Sequence, residues 1–195
     1  MRRATVERTT RETAVRAEVA LDGAGHTHAA TGIGFFDHML THLGRHGVLD
    51  LTLTAQGDLD VDAHHTVEDC GIVLGQAVAR ALGDRAGIAR YGHAVVPMDE
   101  ALARAAVDLS NRAHLVWHVP FQREQLGELP TELVREFAES FVRHAGMTLH
   151  VAKLDGVNDH HVCEAAFKAL ARALRQAVEP DPRAGGAVPS TKGTL

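Results

Sequence analysis

Apolar and polar positions alternate along the first part of the chain. Thr5, Val6, Thr13, Val15, Val19 and Leu21 mark residues 4–21 as strand. The cluster Asp22-Gly23-Ala24-Gly25-His26 predicts a hairpin-type turn, with a further strand running toward Thr31. Gly32–Gly34 introduces a helix that contains Phe36, Met39, Leu40 and Leu43 and ends near Gly44 or Gly47. Over Val48–Ala55 the alternation is strict: Leu49, Leu51 and Leu53 stand against Asp50, Thr52 and Thr54, as in a strand with one buried face. After Gln56-Gly57-Asp58 turns the chain, residues 62–82 open a long helix with apolar Val67, Ile72, Val73, Val78 and Leu82.

The same order then repeats. Strands cover roughly 93–108 and 113–120, and a loop holding Pro120 and Pro130 leads to a helix near 131–145. A strand spans Met147–Leu154, Asp155-Gly156 turns, and a helix runs from His160 to Val178. The tail from Pro180 to Leu195 is rich in Pro, Gly and Ser and is expected to be irregular. In the last helices His64 aligns with His160, His65 with His161 and Glu68 with Glu164. In the earlier ones Arg45-His46 aligns with Arg143-His144, and the same spacing sets His38 against Glu136. Thr9-Thr10-Arg11 corresponds to Ser110-Asn111-Arg112. We read an internal duplication with halves near 1–88 and 89–180 and a tail at 181–195. The class is α+β, a sandwich in which helices cover one face of a sheet.

The repeat carries chemistry. His64-His65-Thr66-Val67-Glu68 and His160-His161-Val162-Cys163-Glu164 are two copies of one His-His-x-x-Glu block. Positions i and i+4 share a helix face, so His64 points with Glu68 and His160 with Glu164. Adjacent positions diverge by about 100°, so His65 and His161 leave in another direction and each block can serve two ions. Crossing the blocks gives one ion His64, Glu68 and His161, and the other His160, Glu164 and His65. His38 then falls to the ion holding His65, and Glu136 to the ion holding His64. Imidazole and carboxylate without thiolate suit Mn, Fe or Zn, and an open octahedral set favours manganese. The order His-Glu-x-x-His of a zinc protease is absent. His26, His28, His93, His114, His118, His144 and His150 lack this spacing and are expected on strands or surface.

Composition narrows the picture. The 14 histidines are the outlier in a chain that is otherwise ordinary, with 45% apolar and 23% charged residues. A net charge of −5 argues against a general nucleic-acid binder but leaves room for a local phosphate pocket. The two cysteines, Cys70 and Cys163, make no disulfide framework and read as buried small hydrophobes. The N-terminal MRRATVERTTRET has no apolar h-region and no run approaches membrane-spanning length, so a cytoplasmic location is expected.

At these residues the chain resembles the imidazoleglycerol-phosphate dehydratase family nearly end to end. The resemblance rests on FFDHMLTHLGRHG (35–47), DAHHTVEDCGIVLGQA (62–77), RYGHAVVPMDEAL (90–102), DLSNR (108–112), TLHVAKLDGVNDHHVCEAAFKALARALRQAV (148–178) and PSTKGTL (189–195). It implies a ribosomal-S5-like duplicated fold, two Mn(II) ions per site, and a homo-oligomer in which trimers assemble into a 24-mer. The implied metal positions are His38, His64, His65, Glu68, Glu136, His160, His161 and Glu164; some relatives have histidine where Glu136 stands here. The implied reaction dehydrates imidazoleglycerol phosphate through an imidazolate/diazafulvene-type intermediate, as a step of histidine biosynthesis. By resemblance Glu12 and Glu164 are the acid/base candidates and Asp99 supports the site. His38, His42, His46 and Glu12 then adjoin the substrate, and Arg90, Arg112, Lys168, Ser190 and Lys192 hold its phosphate. Lys168 lies four residues after Glu164, which also suits an ordinary helical ion pair. Paired metals can equally activate water, so a dinuclear hydrolase is the competing enzyme reading, and a His-rich metal store the non-enzyme one.

Overall fold

The computed structural model describes residues 2–195. Its first half runs β1 (Arg3–Thr9), β2 (Thr13–Ala20), β3 (Thr27–Ala30), α1 (Gly34–Gly47), β4 (Asp50–Gly57) and α2 (His64–Leu82). The second runs β5 (Tyr91–Met98), β6 (Ala101–Asp108), β7 (His114–His118), a short ladder of β8 (Gln125–Leu126) and β9 (Leu129–Pro130), α3 (Glu132–Ala145), β10 (Thr148–Asp155) and α4 (Asp159–Val178). The sheets have orders β1-β2-β4-β3 and β5-β6-β10-β7, the same path twice. In each, the last strand pairs parallel to its neighbour, β3 to β4 and β7 to β10, across a helical crossover.

The α+β class read from the sequence is what the structure has. Each sheet keeps its helices on one face, α1 and α2 on the first and α3 and α4 on the second. The two helical layers then face each other, with α1 against α4 and α2 against α3. Alternation explains the sheet faces: Val15, Ala17 and Val19 of β2 are buried under the helices while Ala14 and Arg16 face water. Phe137 of α3 ties the layers together, its ring 5.2 Å from Phe36 of α1 and 5.8 Å from Phe167 of α4. The helices α2 and α3 approach each other backbone to backbone. A Cβ on Gly71 would stand 2.9 Å from the Phe137 carbonyl, and one on Gly75 2.7 Å from the Phe141 carbonyl.

Three sequence expectations need correction. Residues 4–21 are two antiparallel strands rather than one, broken at Thr10–Glu12. The Thr10 hydroxyl accepts the Glu12 and Thr13 amides at 3.1 and 3.0 Å, a side-chain turn that apolar periodicity does not register. The cluster at 22–26 is no hairpin, because β2 pairs with β1 and β4 and not with β3. Instead the loop wraps the Asp50 carboxylate, which accepts the Ala24 and His26 amides at 2.9 Å each. The strands expected across 93–108 are separated by a turn at Asp99-Glu100, with Asp99 at φ 48°.

Two buried carboxylates lock the elements that present the site. Asp69 of α2 accepts Arg8 Nε at 2.9 Å and the Thr13 hydroxyl, pinning the β1–β2 turn to the helix bearing the first block. Asp159, at the start of α4, accepts the Gln122 and Arg123 amides at 2.7 Å.

Gly75→Ala gains up to about 1 kcal/mol of helix propensity but overpacks against backbone that cannot rotate away, at a cost of about 1–3 kcal/mol. A lower melting temperature is expected; an unchanged or higher one contradicts the close approach. The hydrogen bonds to Asp50 lower its carboxyl pKa from the ordinary 3.8. Its stabilisation is therefore present above pH 3.8 and is lost as pH falls through the lowered value. The stability gap between wild type and Asp50→Asn, followed by acid denaturation, should narrow below pH 3.8.

Candidate metal and phosphate sites

The N-terminal part of α4 faces the first turns of α1. There His38 Nε2 lies 3.0 Å and His160 Nε2 3.1 Å from Glu164 Oε1. Donor atoms of His38, His160 and Glu164 all lie within 4.8 Å of one another, the sole such group of three or more ligand residues among the described residues. Donors that share one ion at about 2.1 Å in octahedral array stand about 3 Å apart, so this niche has the right scale. Its two imidazoles and one carboxylate also suit a borderline divalent ion. The pairing of His160 with Glu164 is the i, i+4 geometry read from the block.

Glu164 is only 4% exposed, yet charged. Burial works to raise its pKa, but hydrogen bonds from Lys168 and His38 outweigh it and hold the carboxyl at about 2. Lys168 Nζ lies 2.7 Å from Glu164 Oε2. His42 stacks edge-on to His38 and lies 3.4 Å from Glu164; burial, against the pull of that carboxylate, pushes it down to about 4. One turn further along, the His46 ring stacks on His42 at 5.4 Å and is also shifted down, by burial and then Lys168.

The second histidines diverge as expected. The His64 and His65 rings are 6.1 Å apart at 90°, and those of His160 and His161 6.0 Å apart at 89°. His65 Nδ1 meets Asp58 at 3.0 Å, and His161 Nδ1 meets Glu100 at 2.7 Å. Both histidines are raised above their ordinary pKa by these hydrogen bonds, and the Glu100 carboxyl is held at about 2 by His161 and the Asn158 amide. Of the acid/base candidates, Glu164 lies in the niche, while Glu12 sits at a hairpin tip 3.9 Å from His65 Nδ1; the supporting Asp99 holds the matching tip, 3.9 Å from His161 Nε2.

Some expected partners stay apart within one chain. His65 does not join His38, His160 and Glu164, nor do His64, Glu68, His161 and Glu136 make a group of their own among the described residues. His64 and Glu68 lie on α2 and Glu136 on α3, partly buried on the helix pair opposite to α1 and α4. The reason is architectural: the helices pair as α1 with α4 and α2 with α3, which splits the crossed ligand sets between the two pairs. Cys70 and Cys163 are fully buried, and burial pushes both thiols up, which disfavours the thiolate a metal needs.

Four of the five phosphate candidates do converge. Arg90, Arg112, Ser190 and Lys192 line one cavity of about 630 Å³, with Tyr91 and Thr191. Arg90 lies over the Tyr91 ring at 4.7 Å, forks onto Asp108 at 2.7 and 3.1 Å, and donates to the Pro189 carbonyl at 2.6 Å. The tail is irregular as expected apart from a 3-10 turn at Pro182–Ala184, and Arg90 fastens it. Lys168 is not in this cavity; its ammonium stays with Glu164. The sequence reading missed Asp58, Glu100 and Asp108. Asp58 stands in the turn just ahead of the first block and Asp108 in DLSNR; Glu100, in the β5–β6 turn, carried no such signal.

Known proteins resemble the chain in both sequence and fold. Residues 31–174 match the family model for imidazoleglycerol-phosphate dehydratase. The protein of that name from Granulibacter bethesdensis is 62% identical over 194 residues, covering 100% of this chain and 99% of that protein. The crystal structure of the Staphylococcus aureus imidazoleglycerol-phosphate dehydratase superposes with a TM-score of 0.83 at 39% identity, over 91% of this chain and 99% of that one. The Pyrococcus furiosus enzyme in complex with (S)-C348 gives 0.83 at 36% identity, over 97% and 99%.

Arg90→Ala removes the charge-assisted hydrogen bond to Pro189, worth about 1.5–3 kcal/mol, and frees the tail. Trypsin should then cut after Arg183 and Lys192 several-fold faster than in wild type. Equal cleavage rates would show that Arg90 does not hold the tail.

Proposed function

The chain belongs to the imidazoleglycerol-phosphate dehydratase family, hydro-lyases of histidine biosynthesis, and from that premise we propose a dimanganese mechanism at a site shared between copies of the chain. The reaction converts imidazoleglycerol phosphate to imidazole-acetol phosphate by way of an imidazolate/diazafulvene-type intermediate of the substrate, in the cytoplasm. The observation that carries the metal reading is the convergence of His38, His160 and Glu164 on one niche. Two Mn(II) ions, when bound, supply Lewis acidity that favours loss of the ring proton.

The protein's own groups do the rest. His38, His160 and Glu164 would hold one ion, and His64, Glu68, Glu136 and the second histidines His65 and His161 would complete the pair of metal shells. Of the three candidate carboxylates, Glu164 is committed to Lys168 and two imidazoles. Glu12 and Asp99 remain exposed beside His65 and His161, free to move a proton. Once the hydroxyl next to the ring has left with the ring proton as water, one of them takes the proton from the hydroxyl-bearing carbon, and the resulting enol becomes the ketone. His42, kept neutral by burial, and His46 line the approach to the niche.

Distance argues for the shared site. The Arg90 amide bonds to the Ala177 carbonyl at 2.9 Å, so the phosphate cavity adjoins the C-terminal end of α4. Glu164 is near the other end, about 20 Å away at 1.5 Å per residue. Three carbons joining an imidazole to a phosphate span less than half of that. One substrate therefore draws its metal groups and its Arg90, Arg112, Ser190 and Lys192 from different copies, in keeping with a homo-oligomer of trimers forming a 24-mer. Lys168, beside Glu164, would meet the same phosphate from the metal side.

A turnover assay tests the reading. Chelator-stripped protein should lose activity and regain it with Mn(II), producing an enolisable ketone without inorganic phosphate. Arg112→Ala and Lys192→Ala should each raise KM about 10–100-fold, as loss of one hydrogen bond to a charged group predicts. Phosphate release, full activity in Glu164→Ala, or an unchanged KM in both cationic variants would overturn the proposal.

A further inference from the structure

We propose that Asp58 and Glu100 are positioning residues that preset the second histidine of each block, His65 and His161, to offer Nε2 to a divalent ion. The inference rests on the two-metal reading above and deepens it. An ionised carboxylate can only accept a hydrogen bond, so the contacts at 3.0 Å from His65 Nδ1 and 2.7 Å from His161 Nδ1 place a proton on Nδ1 in both rings. A neutral imidazole protonated at Nδ1 has its free lone pair on Nε2, the atom a metal needs. The same contacts fix the ring planes, at 90° and 89° to the preceding histidines, so the two imidazoles of one block cannot turn onto the same ion.

The carboxylates come from different places. Asp58 lies in the connection from β4 to α2, whereas Glu100 lies in the turn between β5 and β6. In the first half the matching turn, between β1 and β2, carries Glu12, which stays 3.9 Å from His65. Each half has thus found its own outer carboxylate for the same imidazole nitrogen. Glu100 is braced from the far side, accepting the amide of Asn158, the residue that caps α4, at 2.9 Å. Asp58 has no such brace: its Oδ1 is buried without a hydrogen-bond partner, leaving His65 as the contact that holds it. The two ions would accordingly have unlike outer shells, although each takes its block ligands from the same two His-His-x-x-Glu repeats.

The experiment titrates the full-length, metal-free protein with Mn(II), reading free Mn(II) by electron paramagnetic resonance and unfolding by thermal melting. Wild type should take up two ions per chain. Glu100→Ala should weaken one of them about 10–100-fold, as losing an outer-shell partner does, and Asp58→Ala the other. Glu100→Gln and Asp58→Asn keep an acceptor oxygen and should recover most of the affinity, and excess Mn(II) should restore turnover in all four variants. Wild-type affinity for both ions in both alanine variants overturns the positioning role while the two-metal reading stands. Equal weakening of both ions in Glu100→Ala, with a lowered melting temperature and no recovery in Glu100→Gln, overturns it in favour of a general structural role. A wild-type protein that takes up no Mn(II) sinks the two-metal reading and this inference with it.

Discussion

The contact of α2 with α3 sets the geometry of everything else. Gly71 and Gly75 let the two backbones approach until a methyl group would strike a carbonyl. That proximity fixes the spacing of the helical layers, and with it the distance between the sheets. The hairpin tips that carry Glu12 and Asp99 hang from those sheets and reach the block histidines only because the layers stand where they do. Protein interiors are close-packed, so a shift at this contact passes to the site instead of being absorbed on the way.

The niche of His38, His160 and Glu164 is a buried charge made tolerable. A carboxylate as enclosed as Glu164 loses most of its hydration, which on its own favours the neutral acid. Lys168 and two imidazoles replace the lost water, and ionisation is restored well below neutral pH. An arriving cation would find the negative charge already formed at Oε1, with the lysine on Oε2.

Periodicity made the long elements legible. The apolar stripe of α2 and the strict alternation near Leu49, Leu51 and Leu53 located a helix and a strand to within a few residues, because burial dictates both. The i, i+4 rule likewise paired His160 with Glu164. What periodicity could not show was the breaks. The turn at Thr10–Glu12 depends on one hydroxyl, and the wrap of 22–26 on a carboxylate more than twenty residues away in sequence. Asp58 and Glu100 were hidden because each sits in a turn outside any helical register, and Glu100 meets its histidine from far away in sequence. The convergence of Arg90, Arg112, Ser190 and Lys192 came instead from resemblance, since no spacing rule links residues a hundred positions apart.

The two halves meet helix to helix, α1 on α4 and α2 on α3. A half taken alone would leave its helical layer facing water, and the surface best shaped to cover it is another half of the same kind. The molecule therefore has the form of a symmetric dimer written into one polypeptide. Covalent joining removes the demand that both partners be identical, and each can then drift. His38 opposite Glu136, and Asp58 meeting one histidine as Glu100 meets the other, are the marks of that freedom: the two His-His-x-x-Glu blocks stay alike while the groups around them differ.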